Sequence, residues 1–592
     1  MTQIIATPYA DVKNPFSVNE KGATIDYMLT DPETAQDIVL GSSLLIKDKR
    51  DGKDIWIVAT AVELSTILPF EIERENRLYI DADSDPTKIL AETTGPHTIQ
   101  RMIIRVRLEY EMTKASGSER KFIYSPVQRP PSSSSYLFFP AVLATSTEDP
   151  SLHDMLNIKS EGLDLGAVGY GNTPYQKDDK FLIYKWDIKN LDNKHIFIVG
   201  ESGSGKTVFL KNLALQIRLN NKKARIIMTD VQGDISQLLL PDIIKVPDVT
   251  NWQEKIPRKS LDESIEALKP FQLVIPVSSD KGRQDNVNAL KKLAQKRGVT
   301  VKEIGLRLQD LTNPSDVEYL FRVASEQVAI LLDEEAETLD GKNQKHSLEA
   351  LRAVITKAIR DSKGANQITS SGGTPYYSST YNAALRALKT LGTYFDFDQV
   401  SMQVSENPLE CFTFSGTTIF FLEYLDYDER IMWEMQLVRW LYNRKRELGN
   451  TFVFFDEAHQ IIPARPPGGS SNGTFDRLRK NFESLSREGR KFGINLVLST
   501  QSPRDLHEIV PEQCPTRIVM KIDPRNADAA LLEKDLAFMA NRFGKGQFWM
   551  ISPFNDTPNW IKIHSWVPNL PHESMAQFWE KIREQARKEQ SG

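Results

Sequence analysis

The sequence predicts an α/β protein in two parts, a small β-rich domain followed by a mostly parallel, doubly wound sheet. Three observations carry this prediction. From residue 195 onward, short apolar runs alternate with amphipathic helical stretches, the pattern of parallel strands joined by helices. Residues 21–126 instead hold short β-type runs divided by polar turns. A glycine-rich turn also stands between the first strand and first helix of the later part, the edge at which such sheets bind ligands.

The chain has 592 residues, more than one ordinary core holds, and the pattern divides it into residues 1–190 and 191–592. Apolar residues make up 40% and charged residues 26%, as in a soluble globular protein. A net charge of −5 excludes a protein coated in basic surface, while a locally basic channel stays compatible with it. Cys411 and Cys514 form neither a disulfide framework nor a metal-ligand spacing, which fits a reducing, cytoplasmic setting. The N-terminus lacks a signal peptide's basic region and apolar core, and no apolar run nears the roughly 18 residues of a membrane span.

In the first part, Asp37–Leu40, Ser43–Ile46, Ile55–Ala59 and Arg101–Tyr110 read as strands, with Asp51-Gly52 as one of the turns. They suggest a small β-barrel, which further strands such as Phe181–Trp186 would close near residue 190. Pro130–Ser135 reads as a loop. In the second part the strands are His195–Val199, Ala224–Asp230, Phe271–Val277, Gly416–Tyr424, Thr451–Phe455, Ile494–Thr500 and Thr516–Lys521. Helices are expected over Thr207–Arg218, Glu429–Arg446 and Phe475–Lys491. Between the strands, about 281–405, the chain turns highly charged with a helical period and reads as a helical insertion. Gln367–Gly373 reads as a mobile loop within it.

The chemistry starts at Gly200-Glu201-Ser202-Gly203-Ser204-Gly205-Lys206-Thr207, which fits G-x-x-x-x-G-K-[ST] at every fixed position. A strand precedes it and a helix follows, the context that separates a phosphate loop from a chance turn. The glycines let backbone N–H groups turn toward a β-phosphate, and the helix N-terminus adds partial positive charge. Lys206 would reach the β- and γ-phosphates, and Thr207 would ligate Mg²⁺. These features predict a nucleoside-triphosphate enzyme.

Phe452-Val-Phe-Phe455 leads into Asp456-Glu457, two acids at the carboxyl end of a buried strand. Asp456 would hold Mg²⁺, and Glu457 would orient and deprotonate the attacking water. Such a pair is common alone and specific downstream of a phosphate loop; the bland alternative is a strand-terminal helix cap. Gln501 follows the next strand, where it would sense the γ-phosphate; by itself it reads as a polar loop residue. From Arg477 to Lys491, six basic residues stand against two acidic ones. The residues alone leave two readings level there, an arginine finger for a neighbouring subunit and a helix end that complements its macrodipole. Asp230-Val-Gln-Gly-Asp234 closes the second strand and reads as an ordinary turn.

Together these residues resemble the HerA family of hexameric DNA-translocating ATPases, part of the HerA–FtsK group. The resemblance rests on Lys194-His195, the phosphate loop, Asp230–Asp234, Asp456-Glu457-Ala458-His459 with Pro463, and the run Arg487–Pro503. Ser502 stands where that family often has Arg. The resemblance implies a RecA-like ATPase core behind an N-terminal barrel, six subunits in a ring, and ATP at subunit interfaces. It implies double-stranded DNA in the pore, Gln501 as a sensor, and Arg490 or Arg487 acting in trans. Ala464–Gly473, rich in Gly and Ser, is then a candidate pore loop; alone it reads equally as a surface loop. The family works with nuclease-like or Sir2-like effectors, in end resection or anti-phage defence. This chain's eight histidines show no metal-ligand spacing, so a partner would supply such an activity, docking on the barrel by analogy. The same residues would serve a nucleotide-dependent scaffold that activates an effector with little translocation. A conjugation-type coupling ATPase would be expected to carry membrane segments.

Overall fold

The structure, a computed structural model, describes residues 3–8, 16–19, 22–29, 38–67, 101–115, 122–132, 135–141, 150–177, 180–191, 193–249, 251–256, 258–276, 284–305, 326–340, 348–394, 411, 413–464, 472–553 and 560–591. The backbone divides into two compact units, Met1–Leu191 with Thr516–Trp566 and Asp192–Pro515 with Val567–Gly592.

The first unit opens with β1 (Gln3–Pro8), β2 (Phe16–Asn19), β3 (Gly22–Leu29), β4 (Ser43–Arg50), β5 (Lys53–Ile67), β6 (Arg101–Lys114), β7 (Phe122–Pro126) and β8 (Tyr136–Phe139). They pair in the order β2-β3-β1-β8-β4-β5-β6-β7, and β3 pairs with β6 as well. Register sets one apolar face: Leu44 lies opposite Ala59 and Ile46 opposite Ile57, and all four join the core with Tyr27 and Ile104. Asp51 and Gly52 turn the hairpin with φ of 50° and 77°, the left-handed values that a tight two-residue turn needs. The expected strand Asp37–Leu40 is corrected: Ile38–Leu40 lead into a turn. Gly41 sits at φ 87°, the Ser42 N–H bonds the Val39 carbonyl, and the Ser42 hydroxyl accepts from the Val39 N–H, which ends extended pairing there. Later in this unit come β9 (Leu163–Val168), the short pair β10 (Gln176–Lys177) and β11 (Lys180–Phe181), and β12 (Ile183–Trp186).

The second unit holds β13 (Ile196–Val199), β14 (Arg225–Asp230), β15 (Phe271–Pro276), β16 (Thr300–Ile304), β17 (Gln367–Thr369), β18 (Pro375–Tyr377), β19 (Thr417–Phe421), β20 (Thr451–Phe455) and β21 (Ile494–Thr500). Seven of these run parallel in the order β13-β21-β20-β14-β19-β15-β16. Strands β13, β15, β19, β20 and β21 are buried at every position, which is why they read as mostly apolar runs. The helices between them start at defined caps. Ser260 and Asp426 each close a capping box, with Glu263 and Glu429 three residues on.

The insertion is not wholly helical. It supplies β16, an edge strand too polar to read as one (Lys302, Glu303), besides the helices Gln284–Lys296, Glu326–Asp340, Leu348–Asp361 and Ser378–Tyr394. The last three helices pack on one another. The segment expected to be a mobile loop at Gln367–Gly373 instead forms β17 and the turn of the β17–β18 hairpin. Glu334 pins it by accepting from the hydroxyls of Ser370, Thr374 and Tyr376 at 2.7, 3.0 and 3.0 Å.

In the first unit, β22 (Thr516–Val519), β23 (Gln547–Ile551) and β24 (Ile561–Ser565) continue an antiparallel set ordered β12-β9-β24-β23-β22. Two expectations change here. Thr516–Val519 pairs antiparallel, not parallel, and β12 pairs with β9 in this set, apart from the strands read as a barrel. Strand direction follows from partners hundreds of residues away, which local pattern does not carry.

Candidate active site

The site is built where four neighbouring strands, β13, β21, β20 and β14, end at one sheet edge. After β13 the backbone turns through Gly203 and Gly205, at φ 79° and 100°, values that L side chains adopt only with strain. Gly205 caps the helix Lys206–Asn220 without a side-chain hydrogen bond, so the first-turn N–H groups are left to an anion. The loop is held from both sides. The Gly200 N–H bonds the Thr500 carbonyl of β21 at 3.2 Å, and the Ser204 hydroxyl bonds the Glu201 carbonyl at 2.7 Å. The buried Lys206 ammonium donates to the carbonyls of Gly200 and Glu201 at 2.7 and 3.2 Å. Burial draws its pKa down, while Glu457, Asp456 and Glu201 hold it up. Ser202 lies exposed at the loop's tip and Thr207 half-buried in the helix's first turn.

Asp456 and Glu457 follow β20 directly, 4% and 2% exposed. The Asp456 N–H donates to Thr229 Oγ1 at 3.3 Å, and its Oδ1 accepts from the Ser499 hydroxyl at 3.0 Å and the Glu457 N–H at 3.1 Å. Burial pushes the Asp456 carboxyl up to about 7, and the Glu457 charge adds to this while Ser499 and Lys206 oppose it. A bound cation would favour the ionised form. Glu457 stands at φ 53°, a left-handed value rare for a residue with a side chain. Its Oε1 accepts from Gln232 Nε2 at 3.3 Å, and its Oε2 accepts from the Gln501 N–H at 3.3 Å and lies 3.3 Å from His459 Nδ1. Gln501 therefore touches Glu457 through its backbone, and its residue is exposed.

Oxygen donors from Thr207 and Asp456 suit Mg²⁺, which binds few protein groups and completes its shell with water and phosphate. Among the described residues no group of three or more His, Cys, Asp or Glu could hold a metal ion by itself. Once bound, Mg²⁺ would neutralise charge on the phosphates.

Arg487 and Arg490 lie elsewhere. They precede β21, whereas Gln501 follows it, and seven strand residues separate those ends by about 20 Å. Both are exposed. Arg487 is tied to Glu483 at 2.5 Å, while among the described residues Arg490 makes no ion pair. His195 fixes this end. It takes the Leu496 N–H on Nδ1 at 3.0 Å and donates from Nε2 to the Ser486 carbonyl at 2.7 Å. Burial lowers its pKa to about 4, and the Arg490 charge acts in the same direction. Of the candidate pore loop Ala464–Gly473, positions 465–471 lie outside the described residues.

Sequence reasoning missed Thr229, Ser499 and Glu434. The first two are polar residues at the ends of apolar strands, a signal that was available. Glu434, on the helix Tyr427–Asn443, is fully buried, and neither carboxyl oxygen has a hydrogen-bond partner. Burial pushes its pKa from 4.5 to about 8, with Arg430 opposing and Asp456 adding. The native state thus keeps a proton that the unfolded chain releases above about pH 4.5, so stability falls as pH rises toward 8. Glu434→Gln removes this slope. Relative to the parent, the variant gains stability from pH 5 to pH 8, with a ceiling of about 5 kcal/mol. Urea unfolding at both pH values measures it, and equal differences at the two would contradict a protonated Glu434.

Comparison with known proteins follows the same lines. Residues 177–431 match the family described as "Helicase HerA, central domain", a span that takes in the phosphate loop and insertion and ends ahead of Asp456. The chain is 27% identical over 138 residues to the probable helicase MJ1565 of Methanocaldococcus jannaschii, 22% of this chain and 25% of that protein. It is 30% identical over 119 residues to the DNA double-strand break repair helicase HerA of Pyrococcus furiosus, 19% of this chain and 20% of that protein. The matched stretches thus span a quarter or less of these two relatives. Among solved structures, VirB4 of Thermoanaerobacter pseudethanolicus aligns with TM-score 0.41 and 11% identity over 71% of this chain and 99% of that one. A phosphate loop beside a buried acid pair, at the carboxyl edge of a parallel sheet, defines a P-loop ATPase core. Within that class, the chain resembles the HerA family, whose central domain its residues 177–431 match.

Proposed function

We propose that this chain hydrolyses ATP as one subunit of a homo-hexameric ring that moves double-stranded DNA through its pore. One observation carries the reading most. Lys206, Asp456, Glu457 and the Gln501 backbone converge at one edge of the sheet, while the exposed Arg490 stands about 20 Å away at the other. A phosphate site whose arginine is out of reach in its own chain is completed by a neighbour. Mg²⁺ would be held by Thr207 and Asp456, and Glu457 would take the proton of the attacking water.

The finer assignments belong to the same proposal. Residues 1–190 form an N-terminal domain and residues 191–592 carry the ATPase, with Thr516–Trp566 belonging to the first compact unit. The β3–β6 pairing supports reading the eight-stranded set as a barrel, and that barrel is the docking site for a nuclease-like or Sir2-like effector in DNA processing or anti-phage defence. Among the described residues no helix is long and apolar enough to cross a membrane, and we place the chain in the cytoplasm.

The test is ATP turnover with and without linear duplex DNA. A motor shows strong stimulation by DNA that falls with added salt, because its phosphate contacts release counterions. Turnover indifferent to DNA, together with a requirement for the chain in effector activity, would favour the scaffold reading.

A further inference from the structure

We propose that Gln232 is a latch on the catalytic base, holding Oε1 of Glu457 toward β14 until a phosphate-bearing ligand takes the amide. The proposal rests on reading Glu457 as the base. Gln232 Nε2 donates to Glu457 Oε1 at 3.3 Å, across 225 residues of sequence. The direction of that bond is its significance. The strand order is β13-β21-β20-β14, so Gln232, at the end of β14, lies on the side of β20 away from the phosphate loop. On the other side, the Gln501 N–H at the end of β21 holds Oε2 at 3.3 Å. The base is thus stretched between two neighbours. A carboxylate offers about four lone-pair sites, and the Gln232, Gln501 and His459 contacts engage three of them.

The ties differ in how they can be released. The Gln501 N–H is backbone at the end of a buried strand. His459 Nδ1 is shared with Thr500 Oγ1 at 3.0 Å. Gln232 is an exposed side chain, so solvent or ligand reaches its amide directly. The turn beneath it is fixed without it. Asp230 Oδ2 accepts the Ser236 N–H at 2.6 Å, and Gln237 and Glu573 exchange two bonds at 2.9 and 2.8 Å. Gly233, at φ 78°, lies against Met575, whose Cε would stand 2.4 Å from an added Cβ. A rigid turn carrying one exposed donor against a buried base behaves as a latch, and truncating the side chain leaves the turn in place.

A phosphoryl oxygen is the ligand chemistry that competes with a carboxylate for an amide N–H. It comes either from bound nucleotide or from the DNA backbone. The position of β14, three strands and so about 14 Å from the phosphate-loop strand, favours DNA. Release frees Oε1 to accept the proton of the water; no covalent step changes.

The experiment is steady-state ATP turnover by the full chain carrying Gln232→Ala or Gln232→Glu, with and without linear duplex DNA. Both variants are expected to raise DNA-free kcat about three- to tenfold, the factor one exposed hydrogen bond is worth, with KM for ATP unchanged. Stimulation by DNA should shrink by the same factor. Gln232→Glu keeps the size of the side chain and repels the base, so its rise separates a latch from a packing role. If DNA-free turnover rises but saturating ATP already releases the parent, nucleotide phosphate is the ligand and the DNA arm fails. Unchanged or lower DNA-free turnover in both variants overturns the latch. Glu457→Gln added to Gln232→Ala should abolish turnover; if hydrolysis survives, the base assignment fails, whatever Gln232 does.

Discussion

Glu457→Gln leaves ATP bound and lowers turnover by about 10²- to 10⁴-fold, the range that a positioned general base contributes. The substitution preserves the shape of a residue 2% exposed and keeps an acceptor for the Gln501 N–H. It changes the one property the reading requires, because an amide does not take a proton at neutral pH. Fold and affinity should therefore survive. The backbone is already held at φ 53° by its surroundings, and that conformation asks nothing of the carboxylate's charge. Nucleotide affinity should hold or improve, since Lys206 loses a neighbouring charge that partly satisfies it and becomes more available to phosphate. Titration of a non-hydrolysed ATP analogue and single-turnover hydrolysis separate the two effects. Turnover within tenfold of the parent would remove Glu457 from the role of base and leave Asp456, whose carboxyl burial holds near 7, as the acid to examine.

The parts of this site legible in sequence are those where chemistry and local structure use the same residues. The phosphate loop needs Gly203 and Gly205 for positive φ, and Lys206 and Thr207 begin the helix they help position, so motif and geometry coincide. Strands β20 and β21 are apolar because they are buried on both faces, which made their ends, and thus Asp456 and Gln501, easy to place. What stayed hidden depends on distant partners. Gln232 and Glu457 lie 225 residues apart, and nothing around Asp230–Asp234 distinguishes a turn that reaches Glu457 from one that does not. Glu434 sits in a helix whose period says only that one face is inward. The β17–β18 hairpin looked like a loop because its Ser and Thr residues suit turns, while the Glu334 carboxylate that orders them lies more than 30 residues upstream. The antiparallel set β12-β9-β24-β23-β22 joins segments from both ends of the chain, and short β-type runs look alike in either direction.

Arg490→Ala is expected to lower kcat by about 10³-fold while sparing ATP binding, as loss of a trans-acting arginine does. Lys206→Ala, by contrast, should abolish both, because the ammonium that meets the phosphates is gone. The positions of the two residues make a stronger test than either variant alone. Arg490 precedes β21 and the phosphate loop meets its far end, so no side chain crosses the roughly 20 Å between them within one subunit. Arg487 shares that edge, but its pairing with Glu483 at 2.5 Å occupies it, whereas Arg490 is exposed and makes no ion pair among the described residues. If subunits exchange into rings, a Lys206→Ala subunit can still lend its Arg490 to an Arg490→Ala neighbour whose own phosphate loop is intact. With equal random mixing, about a quarter of interfaces in a cyclic ring regain every part, so turnover should reappear from two nearly inactive proteins. Mixing with Arg487→Ala in place of Arg490→Ala supplies the control, since a variant that keeps most activity alone has little to regain. No recovery at any ratio, with exchange verified by differently labelled subunits, would place Arg490 outside the site and return the basic cluster to its role at a helix end.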